Sequence, residues 1–144
     1  MRLGPDQCRQ RPRAADHGVL ATLHATRGAD LVPVCFVVHG DLVAVPVDRV
    51  KPKDAVALAR ARNLESDPRA TLLCEHWDAA DWDRLWWVRA SLVATPADPV
   101  TTERFGRLLQ DRYPQYTDAV FDSLLVFRLT GLTGWTATPV PAAT

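Results

Sequence analysis

Lys51 and Lys53 stand two residues apart and are the only lysines among 17 basic residues. A coding bias toward arginine accounts for that scarcity as readily as function does. The functional reading is that this position calls for a compact, flexible ammonium in place of a guanidinium fork. From Asp48 to Arg62 the chain carries Arg49, Lys51, Lys53, Arg60 and Arg62 against Asp48 and Asp54, a basic stretch in a chain whose formal net charge is zero. A helix beginning near Lys53 would put Arg60 on the same face, and its N-terminus would add positive potential. That is the chemistry of a phosphate or polyanion anchor. The same pattern also describes a solvated helix face beside a charged turn.

The tryptophans form the second group. Trp77, Trp82, Trp86 and Trp87 crowd into one stretch, with Trp135 apart. On a strand Trp86 and Trp87 face opposite sides, so at least one is left for solvent, a partner or a ligand. Indoles can wall a flat aromatic cofactor, and they serve equally well in a dimer interface or a barrel core.

Other chemistries are poorly served. The four histidines, His17, His24, His39 and His76, show no metal-binding spacing, and there is no CxxC pair, GxSxG elbow or Gly-rich phosphate loop. Cys35 lies within the apolar run VPVCFVV and reads as an inert core thiol. Three widely spaced cysteines are no disulfide framework, which points to a reducing, cytoplasmic setting. A polar N-terminal stretch argues against a secretory signal, and no apolar run is long enough to span a bilayer. Zero net charge argues against a dedicated nucleic-acid-binding domain.

The elements that must position these groups are legible in outline. With 144 residues, 47% of them hydrophobic and 24% charged, the chain can bury one core. Strands are expected at 18–24, 31–38 and 42–47 as a three-stranded antiparallel meander, with Gly28 at positive φ in a turn and 39–41 as a hairpin loop. Pro33 and Pro46 suggest edge positions or interruptions of pairing. A helix is expected over 54–66, ended by Asp67-Pro68, then strands at 69–77 and 84–95. A second helix starts at Asp98-Pro99, with Asp98 as N-cap, and stops at Tyr113-Pro114. Two last strands are expected at 124–130 and 133–138. About seven strands with two or three helices, the strands joined mostly by hairpins, suit a small antiparallel barrel with helices outside. Residues 1–16 read as an arm or short helix, 17–138 as the domain, and 139–144 as a tail.

The segments GVLATLHATRGADLVPVCFVV, DRVKPK, LARARNLESDPRATLLCEHWDAADWDRLWWVRA and TGWTA together resemble the flavin- or deazaflavin-dependent split β-barrel oxidoreductases, relatives of pyridoxamine 5'-phosphate oxidase. Within them they resemble the actinobacterial branch that uses coenzyme F420. The likeness runs from about Gly18 to Ala137. It implies a mainly β split barrel with flanking helices, a homodimer, and a cofactor groove at the dimer interface. The cofactor would be coenzyme F420, with FMN the alternative. Lys51 and Lys53 would meet its phosphate, helped by Arg60 and Arg62. The strand with Pro33, Val34, Cys35 and Phe36 would lie beside the ring system, partly through backbone groups, and Trp86, Trp87 and Arg89 would lie on the interface strand.

The function implied is hydride transfer between that cofactor and a flat, electron-poor acceptor such as an enone, quinone or tetrapyrrole-like molecule. No catalytic acid is assigned; His39 and Tyr116 are the candidates for a proton donor. This sequence departs from the branch pattern where Gly131-Leu132 replace an Arg-Trp pair, and where ASLVA replaces a turn-like Asp-Gly. The alternative is therefore a non-catalytic barrel that binds or carries a flavin, deazaflavin or haem.

Overall fold

The computed structural model describes residues 1–47, 55–119, 121 and 123–139. In chain order the elements are α1 (Pro5–Ala14), β1 (Gly18–His24), β2 (Gly28–Val34), β3 (Val37–His39), β4 (Leu42–Pro46), α2 (Ala55–Ser66), β5 (Arg69–His76), β6 (Trp86–Ala94), α3 (Pro99–Arg112) and β7 (Leu124–Thr136). Short 3-10 turns at Trp82–Arg84 and Pro114–Tyr116 precede β6 and follow α3.

All pairings are antiparallel, and the strand order is β2-β1-β5-β6-β7-β4-β3. β2 and β3 therefore lie at opposite edges of the sheet, yet only Cys35 and Phe36 separate them in the chain. Two residues cannot cross the width of a flat seven-stranded sheet at ~4.8 Å per strand. The sheet must curl until its edges meet at Cys35-Phe36. The expected meander is corrected accordingly. The apolar run 31–38 does not form one strand between β1 and β4 but divides at Cys35-Phe36 into two edge strands. A second correction offsets it in the strand count. The two strands expected at 124–130 and 133–138 are one strand, β7, because a bulge opposite Ser91/Leu92 absorbs Thr130 and lets pairing with β6 continue.

The inner face forms the core. Leu20, Phe36, Val43, Val45, Leu72, Cys74, Leu92 and Phe127 are all essentially inaccessible. At one end α2 sends in Asn63, whose Nδ2 donates to Thr22 Oγ1 (3.0 Å) and to Asp30 Oδ2 (2.9 Å). α1 packs across the inner face elsewhere, Leu3 and Cys8 lying on Val88. Gly134 makes this approach feasible: a Cβ there would lie 2.9 Å from Leu3 Cδ1 and 3.0 Å from Cys8 Sγ. Outside the barrel, α3 buries Phe105 and Leu109 against Val37, Ala44 and Val126.

Several local expectations hold. Asp98 caps α3, its Oδ1 accepting from Thr101 N at 2.7 Å, and Pro99 takes the first helical position. Gly28 has φ of 96° in the β1–β2 turn. Pro33 sits on edge strand β2, but Pro46 is on no edge: it is the last residue of β4, which lies between β7 and β3, and it stands opposite Leu124. Asp67, which ends α2, accepts from the backbone and guanidinium of Arg69, and these bonds hold its carboxyl down to about 2. A depressed folded pKa stabilises the fold above the ordinary carboxylate value, and that contribution is lost as pH falls toward 2. Urea midpoints should therefore fall more steeply between about pH 4 and pH 2 in the wild type than in Asp67→Asn.

Candidate functional site

Cross-strand partners share a face, so the register defines what the barrel shows outward. One row runs Leu31, Ala21, Thr71, Ser91, Gly131 across five strands, from β2 to β7. The next runs Pro33, Val19, Leu73, Arg89, Thr133, and a third adds Glu75, Trp87 and Trp135. Leu31 is 65% exposed and Trp135 38%. Pro33, Arg89, Ser91 and Glu75 are exposed as well, while Val19, Leu73 and Trp87 are half-buried. The face is broad, largely apolar or small, and carries one cation and one carboxylate. The Arg89 guanidinium lies over the Trp87 ring, 5.6 Å from its centroid.

Of the residues singled out in the sequence, Pro33, Trp87 and Arg89 share this face. Pro33 and Arg89 lie in one row three strand spacings apart, ~14 Å at the usual interstrand distance. Val34 and Phe36 point into the barrel core, and Cys35 is half-buried between the two edge strands. Trp86 faces the inner side, half-buried, with Arg11 of α1 stacked 5.0 Å above its ring. On α2, Arg60 is half-buried and Arg62 exposed. Lys51 and Lys53 lie outside the described residues. Neither candidate proton donor stands on the outer rows. His39 is exposed at the end of β3, and Tyr116 stacks edge-on between Tyr113 (5.8 Å) and Phe121 (5.1 Å).

The sequence reading missed a polar clip that closes the barrel. Arg112, the last residue of α3, donates from Nη1 to Phe36 O (3.0 Å) and from Nη2 to Pro12 O (3.3 Å) and to Ala15 O. Its guanidinium also lies 4.9 Å from the Phe36 ring centroid. Tyr113 Oη accepts from Phe36 N (3.2 Å) and lies within hydrogen-bonding distance of Asp16 O (2.9 Å) and Phe36 O (3.2 Å). The backbone N–H and C=O of Phe36 are thus engaged by α3. Cys35, half-buried, is the other residue of the crossover.

The buried thiols are chemically quiet. Burial pushes the Cys74 thiol up to about 12, and burial also raises Cys8 despite the nearby Arg2 and Arg11 charges. Among the described residues no group of His, Cys, Asp or Glu side chains could hold a metal ion.

The architecture has counterparts among solved structures. A conserved hypothetical protein from Mycobacterium tuberculosis matches with a TM-score of 0.74 at 19% identity, over 99% of this chain and 92% of that chain. The haem storage protein HutZ of Vibrio cholerae matches at 0.62 and 20% identity, covering 92% and 94%. An FAD-binding protein from Mesorhizobium loti matches at 0.60 and 13% identity, covering 93% and 93%. A provisionally assigned pyridoxamine 5'-phosphate oxidase from Corynebacterium glutamicum matches at 0.56 and 13% identity, covering 93% and 90%. The fold is the split β-barrel of pyridoxamine 5'-phosphate oxidase-like proteins. The chain matches no protein-family model and no curated protein sequence. No described helix of this split barrel is long and apolar enough to cross a membrane.

A flavin-type group asks for a flat apolar wall for its ring and cations for its anionic tail. The outer face of the split barrel supplies the first in Val19, Leu73 and Trp87, and Arg89 supplies a cation beside them. These residues fit such a group.

Proposed function

We propose that two copies pack through the outer sheet face and hold a flavin-type cofactor in the groove between them. In this reading the protein is an oxidoreductase that transfers a hydride between that cofactor and a flat, electron-poor organic acceptor. Coenzyme F420 is the first choice, on the sequence resemblance, and FMN the alternative. The observation that carries the proposal is the outer row Pro33–Val19–Leu73–Arg89, with Trp87 beside it. On a single copy this apolar surface with its embedded cation stays open to solvent at Pro33 and Arg89 and half-exposed at Val19, Leu73 and Trp87. A flavin-type ligand among the fold's relatives supports the reading.

The bound cofactor would supply the hydride at its central ring. The chain's own groups would do the rest. Trp87 and Leu73 would wall the ring, and Arg89 would set its edge. Lys51 and Lys53 would hold the tail's phosphate, with Arg60 and Arg62 adding positive potential. Pairing of two faces would exclude water from the groove.

A carrier reading has one observation in its favour. Glu75 is the sole proton-transfer group on the three rows, and among the described residues no paired acid and base stand on them. Haem is less well served there, since the rows offer no His, Cys, Met or Tyr as an axial ligand. Steady-state assays with reduced F420 or reduced FMN and a panel of quinones and enones separate the readings. Turnover supports the oxidoreductase. Tight cofactor binding without turnover of any acceptor supports the carrier.

A further inference from the structure

β7 has an uncovered stretch of edge. β4 covers that edge as far as Leu129, whose N–H donates to Asp41 O at 2.7 Å. The N-terminal residues cover it again further on, through Leu3 N to Gly134 O (2.9 Å) and Thr136 N to Met1 O (2.9 Å). Between them, at 130–133, the ladder has no partner on this side among the described residues. Hydrogen-bonding direction alternates along a strand, so Leu132 shares the direction of Gly134, and its N–H and C=O face the gap.

A cleft of about 470 Å³ occupies that gap, lined by Arg2, Leu3, Cys8, Arg9, Asp41 and residues 129–133 of β7. It continues beneath α1 into a throat of about 40 Å³, walled by apolar side chains that include Val43, Leu72, Ala90 and Leu132. Arg2 and Arg9 line the cleft, and Arg9 and Arg13 the throat's rim. None of the three guanidinium groups makes a hydrogen bond or ion pair among the described residues. Asp41 is the one acidic lining residue. The cleft meets the outer sheet face only at Gly131 and Thr133.

We propose that this cleft binds a monoanion with a slim apolar tail, a monocarboxylate of unbranched chain. The carboxylate would accept from Arg2, Arg9 and the Leu132 N–H, a charge-assisted and partly bidentate arrangement. The tail would follow Leu129 and Leu132 into the throat, which is too narrow for a ring system. Asp41 disfavours a polyanion, and the apolar throat disfavours a small hydrated ion.

The test is calorimetric titration of the full chain with octanoate, butanoate, octylammonium and inorganic phosphate, with amide chemical shifts read in parallel. Octanoate should bind more tightly than butanoate, octylammonium should not bind, and phosphate should bind weakly at most. The Leu132 and Thr133 amides should shift on adding octanoate. Octanoate affinity should fall at least about tenfold in the Arg2→Ala/Arg9→Ala double variant. Flavin affinity should be unchanged in that variant, which separates this site from the groove proposed above. Undiminished octanoate binding by the folded double variant overturns the proposal. So does equal binding of octylammonium, or a response confined to Trp87 and Arg89.

Discussion

Replacing Arg112 with alanine should lower the free energy of unfolding by about 3–5 kcal/mol, because three backbone carbonyls lose one charged donor together. In a domain of this size that corresponds to a fall in Tm of about 10–17 °C. The effect is large because of where the carbonyls lie. Pro12 and Ala15 belong to the end of α1, and Phe36 is the crossover at which the two sheet edges meet. One side chain ties the closing seam to both flanking helices. Arg112→Lys should recover only part of the loss, since a single ammonium cannot reach carbonyls on three sides in the planar fork's geometry. Tyr113→Phe should cost less, about 1–2 kcal/mol, because only one hydroxyl is removed. Thermal unfolding followed by circular dichroism measures all three. A change in Tm of under about 2 °C for Arg112→Ala would show that the seam is held by apolar packing alone.

The second large effect is expected on the outer face. Leu73 sits in the middle of its row, between Val19 and Arg89. In the proposed dimer Leu73→Asp would carry a carboxylate into the dry apolar interface, where its cross-strand neighbour Arg89 offsets only part of the desolvation, leaving a cost of about 1–3 kcal/mol per copy. Obligate interfaces of this kind bury about 2,000 Å² or more, so the wild type should sediment as a dimer at micromolar concentration. Leu73→Asp should sediment as a folded monomer, and flavin affinity should fall with it because half of the groove is gone. A variant that remains dimeric places the interface elsewhere.

Much of the fold was legible in the sequence because the signals were local. The cap at Asp98, the stop at Asp67-Pro68 and the alternation along 69–77 and 84–95 each depend on neighbours within a few residues. The errors came where distant contacts decide. LVPVCFVV carries an unbroken strand signal, and only closure of the barrel divides it at Cys35-Phe36. Gly131 has the look of a turn, but the bulge at Thr130 lets β7 run through it. Among the candidate site residues, alternation separated Trp86 from Trp87 correctly, though it could not say that α1 would cover the former. Arg112 and Tyr113 read as the tail of a helix, since their partners lie about 75–100 residues away. α1 itself lacked apolar periodicity, yet Leu3, Cys8 and Pro12 were enough to seat it.

The central claim is that this barrel binds a flavin-type cofactor and anchors its phosphate with the lysine pair. Its most direct test is titration of the purified wild type and the Lys51→Ala/Lys53→Ala variant with F420 and with FMN, read by absorbance and fluorescence. Each lysine–phosphate contact contributes roughly 1.5–3 kcal/mol, so a single substitution should weaken binding about ten- to a hundred-fold and the double substitution more. The account predicts saturable binding of at least one cofactor by the wild type, weakened by added salt, and a large loss in the folded double variant. Binding of neither cofactor to a folded wild type, or undiminished affinity in the double variant, would contradict it.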